Sequence, residues 1–382
     1  MDASVNRIKS SEDEKSLIIG IRFAENSAES VDYSLKELEL LVKTAGGGVC
    51  DSLVIKRDRI DPAIIIGKGY IDIIGQIIEE KKLTLVVFDL NNIRPAQIRN
   101  LEQMLKCRVV GRTEIILDIF AKRARSAESQ IQVELAQLKY ILPRLKGLGG
   151  VLSRLGGGIG TRGPGEKMLE TDRRHILNRI HALSVKLKKQ QSHRNRIRNG
   201  RSGEFTGAVV GYTNAGKSTL VNILARDDLF VEDMLFATLD SYTRSVHLSY
   251  GEKTLLTDTV GFIRNLPSHL VESFRSTLED IRNAAYIIHV VDISAPDIET
   301  NIKTVEDELA SIDCAEKDTI LFFNKKDLLD AGHRENMIVN KYPDAVIGSA
   351  REGAGIDALK DRILGLKRAE LPGANNNSAY YN

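Results

Sequence analysis

The apolar residues of this chain recur at two different spacings, and the change of spacing divides it. In the first third, short apolar runs alternate with amphipathic stretches. Leu17–Phe23, Ser52–Arg57, Ala63–Ile66, Leu83–Leu90 and Cys107–Val110 read as strands, and Val31–Ala45, about Tyr70–Lys81 and Pro95–Leu105 as helices. LTLVVFDL at Leu83–Leu90 is apolar enough for a buried strand. Strands alternating with helices of this length predict a βαβ sheet with helices packed on it. Gly67-Lys68-Gly69, after the third run, is either a phosphate site on a helix N-terminus or a plain tight turn.

From about Thr113 to Leu142 the pattern turns helical. Ile131, Leu135, Leu138 and Leu142 step by 4, 3 and 4, and so do Ile176, Ile180, Leu183 and Leu187. Two such stripes joined by a loop predict an antiparallel helical hairpin. The joining stretch, Gly147–Glu166, reads GLGGVLSRLGGGIGTRGPGE; nine of its first nineteen residues are glycine, and Arg154 and Arg162 are its only basic residues. Glycine at this density is costly to order. Arms of about 30 residues at 1.5 Å each reach roughly 45 Å, which places the loop at the tip of a projecting arm and not between domains.

From Phe205 a second α/β unit begins. Its strands are Phe205–Val210, Val246–Tyr250, Lys253–Asp258, Ala285–Asp292, Thr319–Asn324 and Ala345–Gly348, with helices at 217–225, 268–283, 298–311 and 355–367. The predicted fold class is α/β: an N-terminal α/β domain, an antiparallel helical hairpin, then a doubly wound, mostly parallel sheet. The expected boundaries are a disordered N-terminus over 1–16, the first domain over 17–112, the hairpin over 113–201, the second domain over 202–368 and a disordered tail over 369–382.

Composition narrows the class. The 382 residues are 42% hydrophobic and 28% charged, as in ordinary globular proteins, and the longest apolar runs fall far short of a bilayer span. No leader pattern opens the chain. Cys50, Cys107 and Cys314 are few, distant and odd in number, which argues against a disulfide framework or zinc site and for the cytoplasm. Net charge is only +2, but Arg173–Arg201 holds ten Lys or Arg and no Asp or Glu. A run like that reads as a polyanion contact, nucleic acid before membrane, because no apolar-aromatic face accompanies it.

The chemistry lies in the second unit. GYTNAGKST comprises Gly211, Tyr212, Thr213, Asn214, Ala215, Gly216, Lys217, Ser218 and Thr219, and it follows a strand and opens a helix. It fits the phosphate-binding loop G-x-x-x-x-G-K-S, in which Lys217 reaches the terminal phosphates and the Ser218 hydroxyl ligates Mg²⁺. Asp258, Thr259, Val260 and Gly261 (DTVG) end a strand 41 residues beyond Lys217. Asp258 there can hold Mg²⁺ through other ligands, and the Gly261 amide can bond the terminal phosphate. Asn324, Lys325, Lys326 and Asp327 (NKKD) end another strand. A carboxylate at Asp327 accepts from both the ring N–H and the amine of guanine, and adenine offers neither donor there. Ser349, Ala350 and Arg351 follow the last strand, where a backbone N–H can meet the guanine oxygen.

Between the first two motifs lies FATLDSYTR, with Phe236, Ala237, Thr238, Leu239 and Asp240 at its head. One threonine here must close over Mg²⁺ and the terminal phosphate; Thr238 is the choice and Thr243 the competitor. Lys217, Thr238 and Gly261 are the expected catalytic set. Phe262 stands where Ras-like GTPases carry the glutamine that orients water, so slow intrinsic hydrolysis is expected. Asn214 can help ligate K⁺, supplying charge that an arginine finger otherwise gives.

On GYTNAGKST, FATLD, DTVGF, NKKD, LGGGIGTRGPGE and ETDRR (Glu170–Arg174), the chain resembles the HflX family of translational GTPases, in the Obg–HflX group, from about residue 17 to 367. The resemblance implies GTP and GDP binding by a P-loop GTPase domain, ribosome-stimulated hydrolysis and binding to the large ribosomal subunit. It further implies a role in ribosome splitting, rescue or subunit maturation, with the glycine tip and its Arg154 and Arg162 against rRNA. Ser241-Tyr242 stand where the family usually has Pro-Thr, and the extra C-terminal domain of some members is expected to be absent. A monomer is expected. Two rival readings remain: a GTPase switch whose basic arm binds a protein or acidic membrane, and a tRNA-modification GTPase. Phosphate contacts on rRNA would give a steep salt slope, and the tRNA reading requires a modification-cofactor domain.

Overall fold

The computed structural model describes residues 14–145, 164–199, 204–226, 234–264, 275–329 and 333–370. They fall into two units, the first ending at Gln190 and the second beginning at Gln191.

The first unit opens with β1 (Lys15–Arg22), α1 (Ala28–Thr44), β2 (Gly48–Lys56), α2 (Lys68–Lys81), β3 (Leu85–Phe88), α3 (Pro95–Leu105) and β4 (Arg108–Gly111). The strands form one parallel sheet in the order β2-β1-β3-β4. All four residues of β3 are buried, as a strand covered on both faces requires. Its core runs through Leu17, Ile19, Ile55, Ile74, Phe88 and Leu101. Helix α1 starts where the Ser27 side chain accepts from the Ser30 amide. Helix α4 (Arg112–Arg123) leaves β4 directly, and the guanidinium of Arg112, 1% exposed, is neutralised by Glu37 of α1 and by Asp89 at 3.1 Å. A buried cation persists only with such partners.

Two expectations change here. Ala63–Ile66 is not a strand: Asp61 and Ile65 exchange two backbone hydrogen bonds, and Ile65 takes a φ of 66°. The Asp61 carboxylate holds this tight loop by accepting from the Ala63 and Ile64 amides. Gly67 is therefore the N-cap of α2 and follows a turn, so the strand half of a phosphate motif is missing there. The helical stretch from Thr113 also breaks, into α4 and α5 (Ala127–Leu145). On α5 the buried face is Ser129, Gln132, Val133, Leu135, Ala136 and Tyr140, because α5 packs on α4. Of the predicted stripe only Leu135 is fully buried. The stripe on α6 (Pro164–Asn199) shows the same pattern: Leu183 is buried, and Ile176, Ile180 and Leu187 are half-buried among exposed neighbours. Arg179 of α6 grips Glu134 of α5 with two hydrogen bonds, of 2.6 and 2.8 Å. The glycine loop with Arg154 and Arg162 lies outside the described residues, as do most of the two termini.

The second unit contains β5 (Thr206–Gly211), α7 (Lys217–Ala225), β6 (Tyr242–His247), β7 (Lys253–Asp258), α8 (Arg275–Asn283), β8 (Tyr286–Asp292), α9 (Ile298–Ser311), β9 (Asp318–Asn324), α10 (His333–Lys341), β10 (Val346–Ile347) and α11 (Ile356–Glu370). Six strands run in the order β10-β9-β8-β5-β7-β6, all parallel except β6, which is antiparallel to β7. Strand β6 starts four residues earlier than its apolar pattern suggests. As an edge strand it buries one residue, Val246, so alternation is faint. Helix α10 escapes sequence reading for the same reason, with Ile338 its one buried apolar anchor.

Candidate functional site

The loop between β5 and α7 is the first wall of a cavity of about 500 Å³ in the second unit. Gly216, at φ 90°, is the N-cap of α7, and no side chain caps that helix. The amides of its first turn and the positive end of its dipole are therefore suited to an anion. A side chain at Gly216 would come 2.2 Å from Asn324 Nδ2, so the turn admits glycine alone. The walls join Thr213, Asn214, Gly216, Lys217, Ser218 and Thr219 to Phe236, Ala237 and Thr238, to Thr259 and Gly261, to Asn324, Lys325 and Asp327, and to Ala350 and Arg351. Segments more than a hundred residues apart thus meet around one space, because β5, β7 and β9 are parallel and all end at the same edge of the sheet.

Asn324 ties three segments together. Its Nδ2 donates to the Ala215 carbonyl at 2.9 Å, and its Oδ1 accepts from the Ala350 amide at 2.8 Å. Ser349 donates to Asp327 Oδ1 at 2.5 Å, which orients that carboxylate at the cavity wall. Lys325, at φ 65°, pairs with Asp292 at the end of β8 at 2.8 Å. Lys326 turns outward to Glu335 at 2.6 Å and Leu239 is buried in the interior, so neither lines the cavity.

At the opposite end three oxygens cluster. Ser218 Oγ donates to Asp258 Oδ2 at 2.6 Å and lies 2.6 Å from Thr238 Oγ1, which itself donates to Asp258 at 3.0 Å. Thr243 is elsewhere, in β6 with its hydroxyl 3.0 Å from that of Thr257. Of the two candidates, Thr238 is the one at the cluster. Burial pushes the Asp258 carboxyl above the usual range, and its Oδ1 has no partner among the described residues. Burial also brings Lys217 down to about 8, and its ammonium donates to the Gly211 and Tyr212 carbonyls at 3.2 and 2.9 Å. The hard hydroxyl and carboxylate oxygens fit a Mg²⁺ that arrives with a nucleotide. Among the described residues no group of three His, Cys, Asp or Glu could hold a metal, so such an ion depends on hydroxyls and phosphates.

Several contributors carry no motif. Met234 and Leu328 line the cavity. Arg264 donates to Asp297 and Asn301 of the α9 start at 2.9 and 3.3 Å, while its amide donates to the Tyr212 hydroxyl. Ser241 donates to Asp280 of α8 at 2.7 Å. Such partners are distant in sequence, and only the packing of α8 and α9 beside the strand ends brings them near.

Three family profiles match consecutive stretches: "GTP-binding GTPase N-terminal" over 32–121, "GTP-binding GTPase Middle Region" over 123–201 and "50S ribosome-binding GTPase" over 206–325. A GTPase HflX from Caldanaerobacter subterraneus subsp. tengcongensis is 47% identical over 342 residues, which cover 88% of this chain and 78% of that protein. The GTPase HflX of Escherichia coli (strain K12) is 40% identical over 359 residues, covering 92% and 83%. The crystal structure of an SsGBP–GDP complex shares the fold, with a TM-score of 0.52 and 21% identity over 94% of this chain and all of that one. Among the described residues no helix is long and apolar enough to cross a membrane.

Proposed function

The chain belongs to the HflX family of GTPases, hydrolases of GTP, and from that premise we propose that it is a GTP-gated factor of the large ribosomal subunit. It acts in ribosome splitting, rescue or subunit maturation, as a cytoplasmic monomer whose slow intrinsic turnover rises on the ribosome. The carrying observation is the cavity itself, where the phosphate loop, Thr238, DTVG and NKKD meet.

In this reading the α7 amides and Lys217 hold the β- and γ-phosphates, and Asp327 with the Ala350 amide selects guanine. Ser218 and Thr238 would hold Mg²⁺, with Asp258 orienting both hydroxyls. Bound there, the ion would neutralise charge developing on the phosphate oxygens. Asn214 faces the cavity from a left-handed turn at φ 60°, a position suited to a K⁺ carbonyl ligand. The domain plan is 17–112, 113–201 and 202–368, and the middle segment is the ribosome-facing arm. The exposed Arg173, Arg174, Lys186, Lys188 and Lys189 of α6 support phosphate contacts, and Arg154 and Arg162 are assigned to rRNA.

The test is GTP turnover in K⁺ buffer with and without purified large subunits. A rise of at least about tenfold is expected, with binding that weakens at a log–log salt slope of about −0.7 for each single-strand phosphate contact. Unchanged turnover at saturating subunits would refute the ribosomal role and leave the GTPase assignment standing.

A further inference from the structure

Thr238 stands at the head of a short loop whose two ends both meet Asp258. Its hydroxyl donates to the Asp258 carboxylate at 3.0 Å, and β6 then opens with Tyr242 paired to Asp258 in the sheet register. Leu239, Asp240 and Ser241 make up the loop between. Leu239 is buried and anchors its near side. The far side runs into an edge strand that buries one residue, Val246, so little apolar burial holds it there.

A side chain supplies the hold on that side. Ser241 Oγ donates to Asp280 Oδ2 at 2.7 Å, a partner 39 positions away in the chain. Asp280 stands on a fixed post. Helix α8 packs on β5 and buries Leu278 and Ile281, and its Arg282 donates to the Ile312 carbonyl at 2.9 Å. A hydrogen bond to an ionised acceptor is stronger than one between neutral groups. Proline, the residue usual in the family at this position, has no side-chain hydroxyl to donate. The anchor is therefore a property of this chain and not of the motif.

We propose that Ser241, through its bond to Asp280, is a positioning residue for the triphosphate state: it pins the loop so that Thr238 stays beside Ser218 and Asp258. The role rests on the nucleotide site described above. In that site Thr238 closes over the metal and the terminal phosphate of a triphosphate, and a diphosphate gives it no such phosphate to meet. Apparent affinity scales with the fraction of chains in the binding-competent arrangement. A bond that favours the closed loop therefore strengthens GTP binding and leaves GDP binding unchanged. Losing one hydrogen bond to a charged acceptor shifts such a balance by about fivefold to tenfold. Ser241 does not line the cavity and acts through Thr238.

The test uses the full chain and a double-mutant cycle of Ser241→Ala and Asp280→Ala. Affinities for GDP and for the slowly hydrolysed analogue GTPγS are measured by calorimetric titration at saturating Mg²⁺. Ser241→Ala is expected to weaken GTPγS binding by about fivefold, with GDP affinity within about twofold of the parent. In the Asp280→Ala background, Ser241→Ala is expected to add no further loss. Parent-like GTPγS affinity in Ser241→Ala would overturn the role. Equal losses for the two nucleotides would overturn it too, reducing the bond to general support of the fold. So would a loss that persists in full once Asp280 has been removed. A parent chain that binds neither nucleotide would overturn the nucleotide site itself, a distinct result.

Discussion

Replacing Asn324 by Ala tests whether the cavity is held together as described. The side chain is 3% exposed and makes two bonds, to the Ala215 carbonyl at 2.9 Å and from the Ala350 amide at 2.8 Å. Ala215 and Ala350 are each 1% exposed, so truncation strands a buried acceptor and a buried donor. Each stranded group costs about 1–3 kcal/mol, and partial relaxation brings the sum to about 2–4 kcal/mol. In a domain of this size a kcal/mol moves Tm by roughly 2–4 °C, so the unfolding of the second unit should fall by about 5–15 °C. The chain has no tryptophan, so far-UV circular dichroism is the assay, with GDP affinity measured alongside. Affinity should weaken by at least about tenfold, because the same bonds tie the phosphate loop to the segments of Asp327 and Ala350, which are proposed to select guanine. The isosteric Asn324→Asp separates causes. If lost volume were responsible it would be nearly neutral. The hydrogen-bond account requires it to be at least as damaging, since an oxygen then faces the Ala215 carbonyl. A neutral Asn324→Asp, or an Ala variant within about 1 °C of the parent, would refute the reasoning.

Lys217→Ala should abolish tight GTP binding in equilibrium titration, and unchanged affinity would undo the phosphate-loop assignment. Asp327→Asn should move base preference from guanine towards xanthine in a competition assay; an unaltered preference would mean NKKD has been misread. Gly207→Ala would drive a methyl to within 2.4 Å of the Tyr286 ring, which is buried and stacked on Phe205 at 4.8 Å. Overpacking of this kind should destabilise by about 1–3 kcal/mol in thermal unfolding while sparing the GDP affinity of the surviving fold. Arg162→Ala should leave intrinsic GTPase unchanged and weaken stimulation by large subunits, and full stimulation would remove the tip arginine from the interface.

Much of the molecule can be read locally. Strands such as β3 and β8 are apolar runs buried along almost their whole length, so composition alone marks them. The nucleotide motifs are legible because backbone geometry and phosphate chemistry dictate particular residues at fixed spacing: Gly216 at a left-handed turn, Lys217 and Ser218 at the start of a helix. Elements that bury little are illegible for the matching reason. β6 and α10 each have one fully buried apolar residue among their described side chains, Val246 and Ile338, and no period survives.

The division falls along the range of the interactions involved. Helix capping, turn strain, side-chain burial and phosphate-loop geometry act over a few residues, so the chain order carries them, and with them the fold class and the family. Pairings across long separations are another matter. That Thr238 and not Thr243 meets Ser218, that Asn324 joins Ala215 to Ala350, and that Arg264 reaches Asp297 all depend on which strand ends and helix starts are brought to one edge of a sheet. Hydrogen bonds act over about 3 Å, and only the packed sheet brings residues a hundred positions apart within that distance.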